Sequence, residues 1–127
     1  MERATEIYAA VNLFVMGLSH ILQPRLWVDF FIWLRGQGHL GVFINGFLSL
    51  IFGSIIVSFH NVWTGLPTVL TVLGWANVVK ALVSFVRPQW GMRSLERVSP
   101  ERASEFVVAG MMFLVLSAFI AYLALRR

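Results

Sequence analysis

Lys80 is the residue whose position most invites chemistry. It falls in an apolar run, residues 67–86, whose only strongly polar interruptions are Asn77 and Lys80. Asn77, Lys80 and Ser84 are spaced i, i+3 and i+7, so a helix places them in one stripe. Lys80 precedes Pro88 by eight residues, or roughly 12 Å along a helix axis. An ammonium at that depth in a bilayer costs at least ~2.5 kcal/mol. No Asp or Glu falls in the runs 7–22, 40–59 and 67–86 to neutralise it, and Glu101 and Glu105 stand in the opening turns of the fourth. Either its stem carries the charge up to the headgroups, or the ammonium meets an anion such as a lipid phosphate or a substrate carboxylate. His20, four residues before Pro24, and Asn45, early in the second apolar run, fall at a similar depth. Polar groups in hydrocarbon need partners, so Lys80, Asn77, Ser84, His20 and Asn45 are expected to face inward toward one another. Such contacts are worth only ~0.6 kcal/mol each, and interhelical glue is the plainer alternative. Asn12 lies farther along and reads as local.

His60, Asn61 and Trp63 stand at the opposite end and form a second candidate group. A histidine there is an interfacial or capping residue, or a pH-responsive one. Metal binding has no support: His20, His39 and His60 include no i, i+4 pair, and His60 sits across the membrane from the others. A haem on His20 and His39 is conceivable without any motif behind it. No catalytic constellation forms, because Asp29 is the lone acid of its region and no base and nucleophile converge. The absence of cysteine removes disulfides, thiolate metal sites and a thiol nucleophile. No cofactor is expected.

The elements that position these residues follow from composition. Of 127 residues, 58 % are hydrophobic and 13 % charged, with a mean hydropathy of +0.78. A soluble domain carries about a quarter charged residues, so there is too little charge for a water-facing surface. The solvent is lipid. Four apolar runs, near 7–22, 40–59, 67–86 and 99–125, are each long enough to cross a hydrocarbon core of ~30 Å. Pro67 reads as a first helical residue, and Ser99-Pro100-Glu101 as a cap with an acid on the positive dipole end. Thr5 and Glu6 are expected at the interface. The start of the chain lacks the basic stretch and cleavage pattern of a signal peptide. Between the first two spans, residues 24–35 carry Leu26, Trp27, Phe30, Phe31, Trp33 and Leu34 near helical spacing. This predicts a short amphipathic helix, lying in the headgroup layer or packing its aromatics into the bundle. The fold class is an all-α membrane protein of four transmembrane helices in one domain, 1–127.

A shift of 64 residues relates the two halves: Pro24 falls on Pro88, Gly46 on Gly110, Leu18 on Leu82 and Ile56 on Ile120. The halves, about 6–60 and 67–125, read as two helical hairpins. Each has two crossings, so the copies are parallel, unlike the inverted repeats of many transporters. The connectors 24–39 and 87–103 hold six arginines, against Arg3, Arg126 and Arg127 on the other side. The imbalance places the connectors in the cytoplasm and both termini outside. Arginines between apolar runs mark topology, not nucleic-acid binding. Gly46, Ser49 and Gly53 in the second span, with Gly110, Ser117 and Ala121 in the fourth, predict close packing between those two helices or a seam between copies.

Ser58-Phe59-His60-Asn61-Val62-Trp63, then Thr71-Val72-Leu73-Gly74-Trp75 and Lys80, resembles a pattern in small bacterial inner-membrane proteins of uncharacterised activity. The pattern joins His-Asn-x-Trp to a downstream Gly-Trp and lysine, and covers residues 46–88, about a third of the chain. The resemblance implies a four-helix bacterial membrane protein with His60, Asn61, Trp63, Gly74, Trp75 and Lys80 as candidate positions; it implies no activity. Together these features suggest a non-enzymatic protein binding an anionic amphiphile or lipid at an inner-leaflet polar cluster. Two other classes fit: a small oligomeric transporter or channel for a solute or ion, and an accessory subunit of a larger membrane complex.

Overall fold

Two prolines divide the chain into its helices. The residue before a proline is pushed out of the helical region by the proline ring, and Gln23 and Arg87 respond almost identically, at φ −129°, ψ 52° and φ −130°, ψ 71°. Each closes a long helix, with its N–H donated to the fourth residue back, Ser19 and Val83. Pro24 and Pro88 then open short helices, where a missing N–H costs nothing.

The computed structural model describes residues 1–126; Arg127 lies outside the described residues. Among them run α1 (Glu2–Leu22), α2 (Pro24–Gly36), α3 (His39–Phe59), α4 (Thr68–Val86), α5 (Pro88–Glu96) and, after a 3-10 turn (Pro100–Arg102), α6 (Ala103–Arg126). The four long helices α1, α3, α4 and α6 are apolar and long enough to span a membrane. The expected short helix between the first two is α2.

Several boundaries differ from expectation. The segment 87–103 is not a plain connector, since α5 occupies half of it. Of its nine residues only Leu95 is buried, and its fit against Leu34 and Val42 is a tertiary matter. α1 starts at Glu2, so Thr5 and Glu6 lie inside the helix, and both are buried. Pro67 precedes α4 and is not its first residue. Ser99 makes no side-chain cap; its carbonyl accepts the Arg102 N–H at 3.0 Å instead.

The helices associate as two pairs, α1 with α6 and α3 with α4. The small residues therefore do not join the second span to the fourth. A Cβ on Gly110 would lie 2.6 Å from the Gly17 carbonyl oxygen, and one on Gly53 would lie 2.7 Å from that of Gly74. Both crossings are close approaches of backbone, the contact that works where lipid is as apolar as the side chains. Ser117 adds a hydrogen bond from its hydroxyl to the Ala10 carbonyl, 2.7 Å. The short 60–67 link makes α3 and α4 antiparallel neighbours, and α6 takes the remaining face of α1.

Two apolar clusters hold the pairs together. One lies toward the chain ends, around Ala9, Leu13, Ile56, Leu70 and Ile120. The other joins α2, α3 and α5 through Leu34, Val42 and Leu95. There Arg35 caps the end of α5, its Nη1 donating to the Val98 carbonyl at 3.0 Å and lying 3.4 Å from those of Leu95 and Glu96. A cation on carbonyls at a helix C-terminus is favoured by the dipole. The arginine-rich connectors thus share one end of the bundle.

Gly110→Val should destabilise the fold by about 1–3 kcal/mol, because its neighbour is a backbone oxygen and cannot yield. Gly36→Ala, where a Cβ meets nothing within 4 Å, should leave the detergent-solubilised melting midpoint unchanged.

Candidate functional site

Between the two apolar clusters the helix pairs separate and leave a cavity of about 410 Å³. Lys80, Asn77, His20 and Asn45 all line it, so four of the five residues expected on one polar cluster come together. Ser84 does not line it. Its hydroxyl donates to the Lys80 carbonyl at 3.0 Å, and its Cβ packs beneath Gly46. Asn12 does line it, with its amide donating to the Tyr8 carbonyl at 2.9 Å.

The polar groups offered to the cavity differ in kind. The Lys80 ammonium has no hydrogen-bond or ion-pair partner among the described residues. The Asn45 side chain likewise makes no hydrogen bond among them. Asn77 donates its amide to the Leu73 carbonyl at 3.0 Å, which leaves its own oxygen available. His20 Nδ1 lies 2.6 Å from the Met16 carbonyl oxygen. A carbonyl only accepts, so Nδ1 carries the proton and Nε2 is the atom left to act. The ring is fixed by stacking on Trp27 at 4.3 Å and by the edge of Phe113 at 5.2 Å. Trp27 is itself anchored, its Nε1 donating to Ser19 Oγ at 2.8 Å.

Four of the lining residues, Met16, Leu48, Ile51 and Lys80 itself, are exposed. The cavity therefore opens on the flank of the bundle. Its deeper wall is dry, made of Leu13, Phe52, Leu73 and Phe113. A cation and the amides of three asparagines on such walls can hold an anionic oxygen group, while the unprotonated His20 Nε2 can only accept a hydrogen bond. They provide no nucleophile with an adjacent base.

The second candidate group divides. Asn61 and Trp63 are exposed, and Asn61 Oδ1 accepts from Trp63 Nε1 at 2.8 Å and from Trp75 Nε1 at 3.4 Å. His60 caps α3, its N–H donated to the Ile56 carbonyl at 2.7 Å, but its ring turns inward and is fully buried. There Nε2 lies 2.9 Å from Glu6 Oε2, and Nδ1 lies 3.1 Å from Thr71 Oγ1. Glu6 and Thr71 are also fully buried.

The protons of this group can be placed. The Thr71 hydroxyl donates to the His60 carbonyl at 3.2 Å and accepts the Val62 N–H at 3.0 Å. With the hydroxyl proton on that carbonyl, His60 Nδ1 donates to Thr71 Oγ1, and one proton bridges Nε2 and the Glu6 carboxyl. Whichever atom holds that proton, the pair carries no net charge, as a low-dielectric interior demands.

Glu6 is the residue that sequence reasoning missed. Its place at the edge of the first apolar run gives no hint of the His60 ring that it meets. A signal existed: Glu6, Ala9, Ala10, Leu13 and Gly17 share one helical stripe, and every other member is small or apolar. All are buried.

Among the described residues no group of three or more metal-ligating side chains occurs. Comparisons with protein-family models, with curated proteins and with solved structures give no match. Fold and site together define a multi-pass integral membrane protein with a helical bundle.

His60→Ala should cost about 3–5 kcal/mol by removing one member of a buried, hydrogen-bonded pair. Glu6→Gln, whose amide can donate to Nε2 in a neutral pair, should cost only ~1 kcal/mol. Chemical unfolding in detergent would measure both, and equal losses would contradict the shared proton.

Proposed function

We infer that this chain is a non-enzymatic membrane protein that holds an anionic amphiphile, its charged group on Lys80 and its chain leaving through the lateral opening. One observation carries this reading: an ammonium with no partner among the described residues lines an otherwise largely apolar cavity open on the bundle flank. An unanswered cation at that depth costs at least ~2.5 kcal/mol. An acyl-linked phosphate or carboxylate removes that cost and fills the cavity with groups of the right polarity. Asn45 and Asn77 complete the headgroup contacts, and His20 Nε2 borders them.

The arginine imbalance places the connector end in the cytoplasm, which puts the site in the inner leaflet of a bacterial inner membrane, with both termini outside. The shared end of α2 and α5 supports counting their arginines together. The order long helix, proline-led short helix, long helix occurs twice, and we read it as a duplicated hairpin. Membership in the group with the His-Asn-x-Trp pattern belongs to the same proposal.

A transporter or channel would need a passage from Lys80 to His60. The apolar cluster around Leu13, Ile56 and Leu70, followed by the neutral Glu6–His60 pair, favours a dead-ended binding site instead.

Native mass spectrometry of the purified protein should show a bound anionic lipid that Lys80→Ala removes and Lys80→Arg largely retains. The same lipid signal in all three would refute the reading, and solute flux lost in Lys80→Ala proteoliposomes would favour transport.

A further inference from the structure

A second cavity, of about 350 Å³, lies on the connector side of the first, and the two share His20 and Phe31. Its other walls come from α5, the following loop and α6, and include Ser94, Arg97 and Glu105. Glu105 faces Arg102, with 3.9 Å between carboxylate and guanidinium. Arg97 has no ion-pair partner among the described residues. The uncompensated charge at this entrance is therefore positive, as it is at Lys80 beyond.

We propose that this second cavity is the aqueous antechamber of the Lys80 site, through which small water-soluble anions pass His20 and Phe31 to reach Lys80. The inference rests on reading the Lys80 cavity as an anion site and adds a second way in. The lateral mouth admits an acyl chain; the antechamber admits a free anion from water. Cations placed in series along a low-dielectric path concentrate anions and speed their arrival.

The residues common to both cavities are two aromatic side chains. Phe31 stacks on Phe106 at 5.6 Å, and the His20 ring meets the same Phe106 at 5.8 Å. The Phe31 contact is a ring contact and not a backbone hydrogen bond, so Phe31 can swing while every helix stays intact and while Trp27, Phe113 and the Met16 carbonyl hold His20.

The chain has no cysteine, so a single introduced thiol reports access directly. Asn45→Cys places one in the inner cavity, and Arg93→Cys, exposed on α5, marks the connector face. Each is reconstituted in sealed liposomes and treated from either side with two membrane-impermeant methanethiosulfonates, one sulfonated and one quaternary ammonium. Rates are normalised to those of a free thiol. Asn45→Cys should react only from the side that labels Arg93→Cys, with the anionic reagent preferred roughly tenfold. Adding Arg97→Glu should abolish that preference, and adding Phe31→Ala should raise both rates. Ser49→Cys, a near-isosteric change on the same cavity, repeats the test should Asn45→Cys fail to fold.

Inner thiols that stay unreactive from the connector face, even with Phe31→Ala, would overturn the proposal. So would labelling without charge preference, or with a preference that ignores Arg97. A lipid signal unchanged by Lys80→Ala would instead count against the amphiphile itself, so the two failures are distinguishable.

Discussion

The bond between His60 and Glu6 ties together two helix pairs that otherwise touch only in part. α1 with α6 and α3 with α4 are each close-packed, and their mutual contact is concentrated toward the ends where Glu6 of α1 meets His60 and Thr71. In water such a pair would be worth little, since solvent would serve either partner. In hydrocarbon an unanswered carboxyl or imidazole is costly. The three side chains therefore accept one geometry, and the separation of the helix pairs at the other end follows from it.

That separation is where the bundle can do something. With one end closed by apolar packing and a neutral polar knot, and the other by α2 and α5, the space between them cannot be filled by the helices alone. The polar groups left over are of two sorts. Asn12, Asn77 and Ser84 donate to backbone carbonyls four residues back, which satisfies them within their own helices. Lys80 and Asn45 have no such recourse among the described residues. A residue type alone does not separate these cases; the presence of a carbonyl within reach does.

The short helices are more than spacers. α2 brings Trp27 onto His20 and buries Val28 and Leu34 while leaving Leu26 and Trp33 exposed. Its aromatics are thus divided, with Trp27 packed into the bundle and Trp33 on the exposed face. Arg35 shows a similar double use. Its charge adds to the arginine count of the connectors, and its guanidinium binds the carbonyls at the end of α5. The connector end is consequently a built floor under the cavity, with aromatic rings in it.

Residue types along the chain were enough to determine four spanning helices, the breaks at Pro24 and Pro88, the helix between the first two spans, and a polar group at the depth of Lys80. These depend on hydropathy, proline sterics and rise per residue, which act locally. Pairing was decided by the tertiary structure alone. Small residues marked which stripe of α3 and α6 packs closely but not against what, because a glycine accepts any backbone that reaches it. Glu6 looked like an interfacial acid because its partner, His60, is 54 residues away. α5 is amphipathic but only nine residues long, and what its buried Leu95 seats against, Leu34 and Val42, was decided by the tertiary structure. Whether a polar side chain finds its partner in its own helix, in another or nowhere depends on distances between helices, and these exist only once the chain has folded.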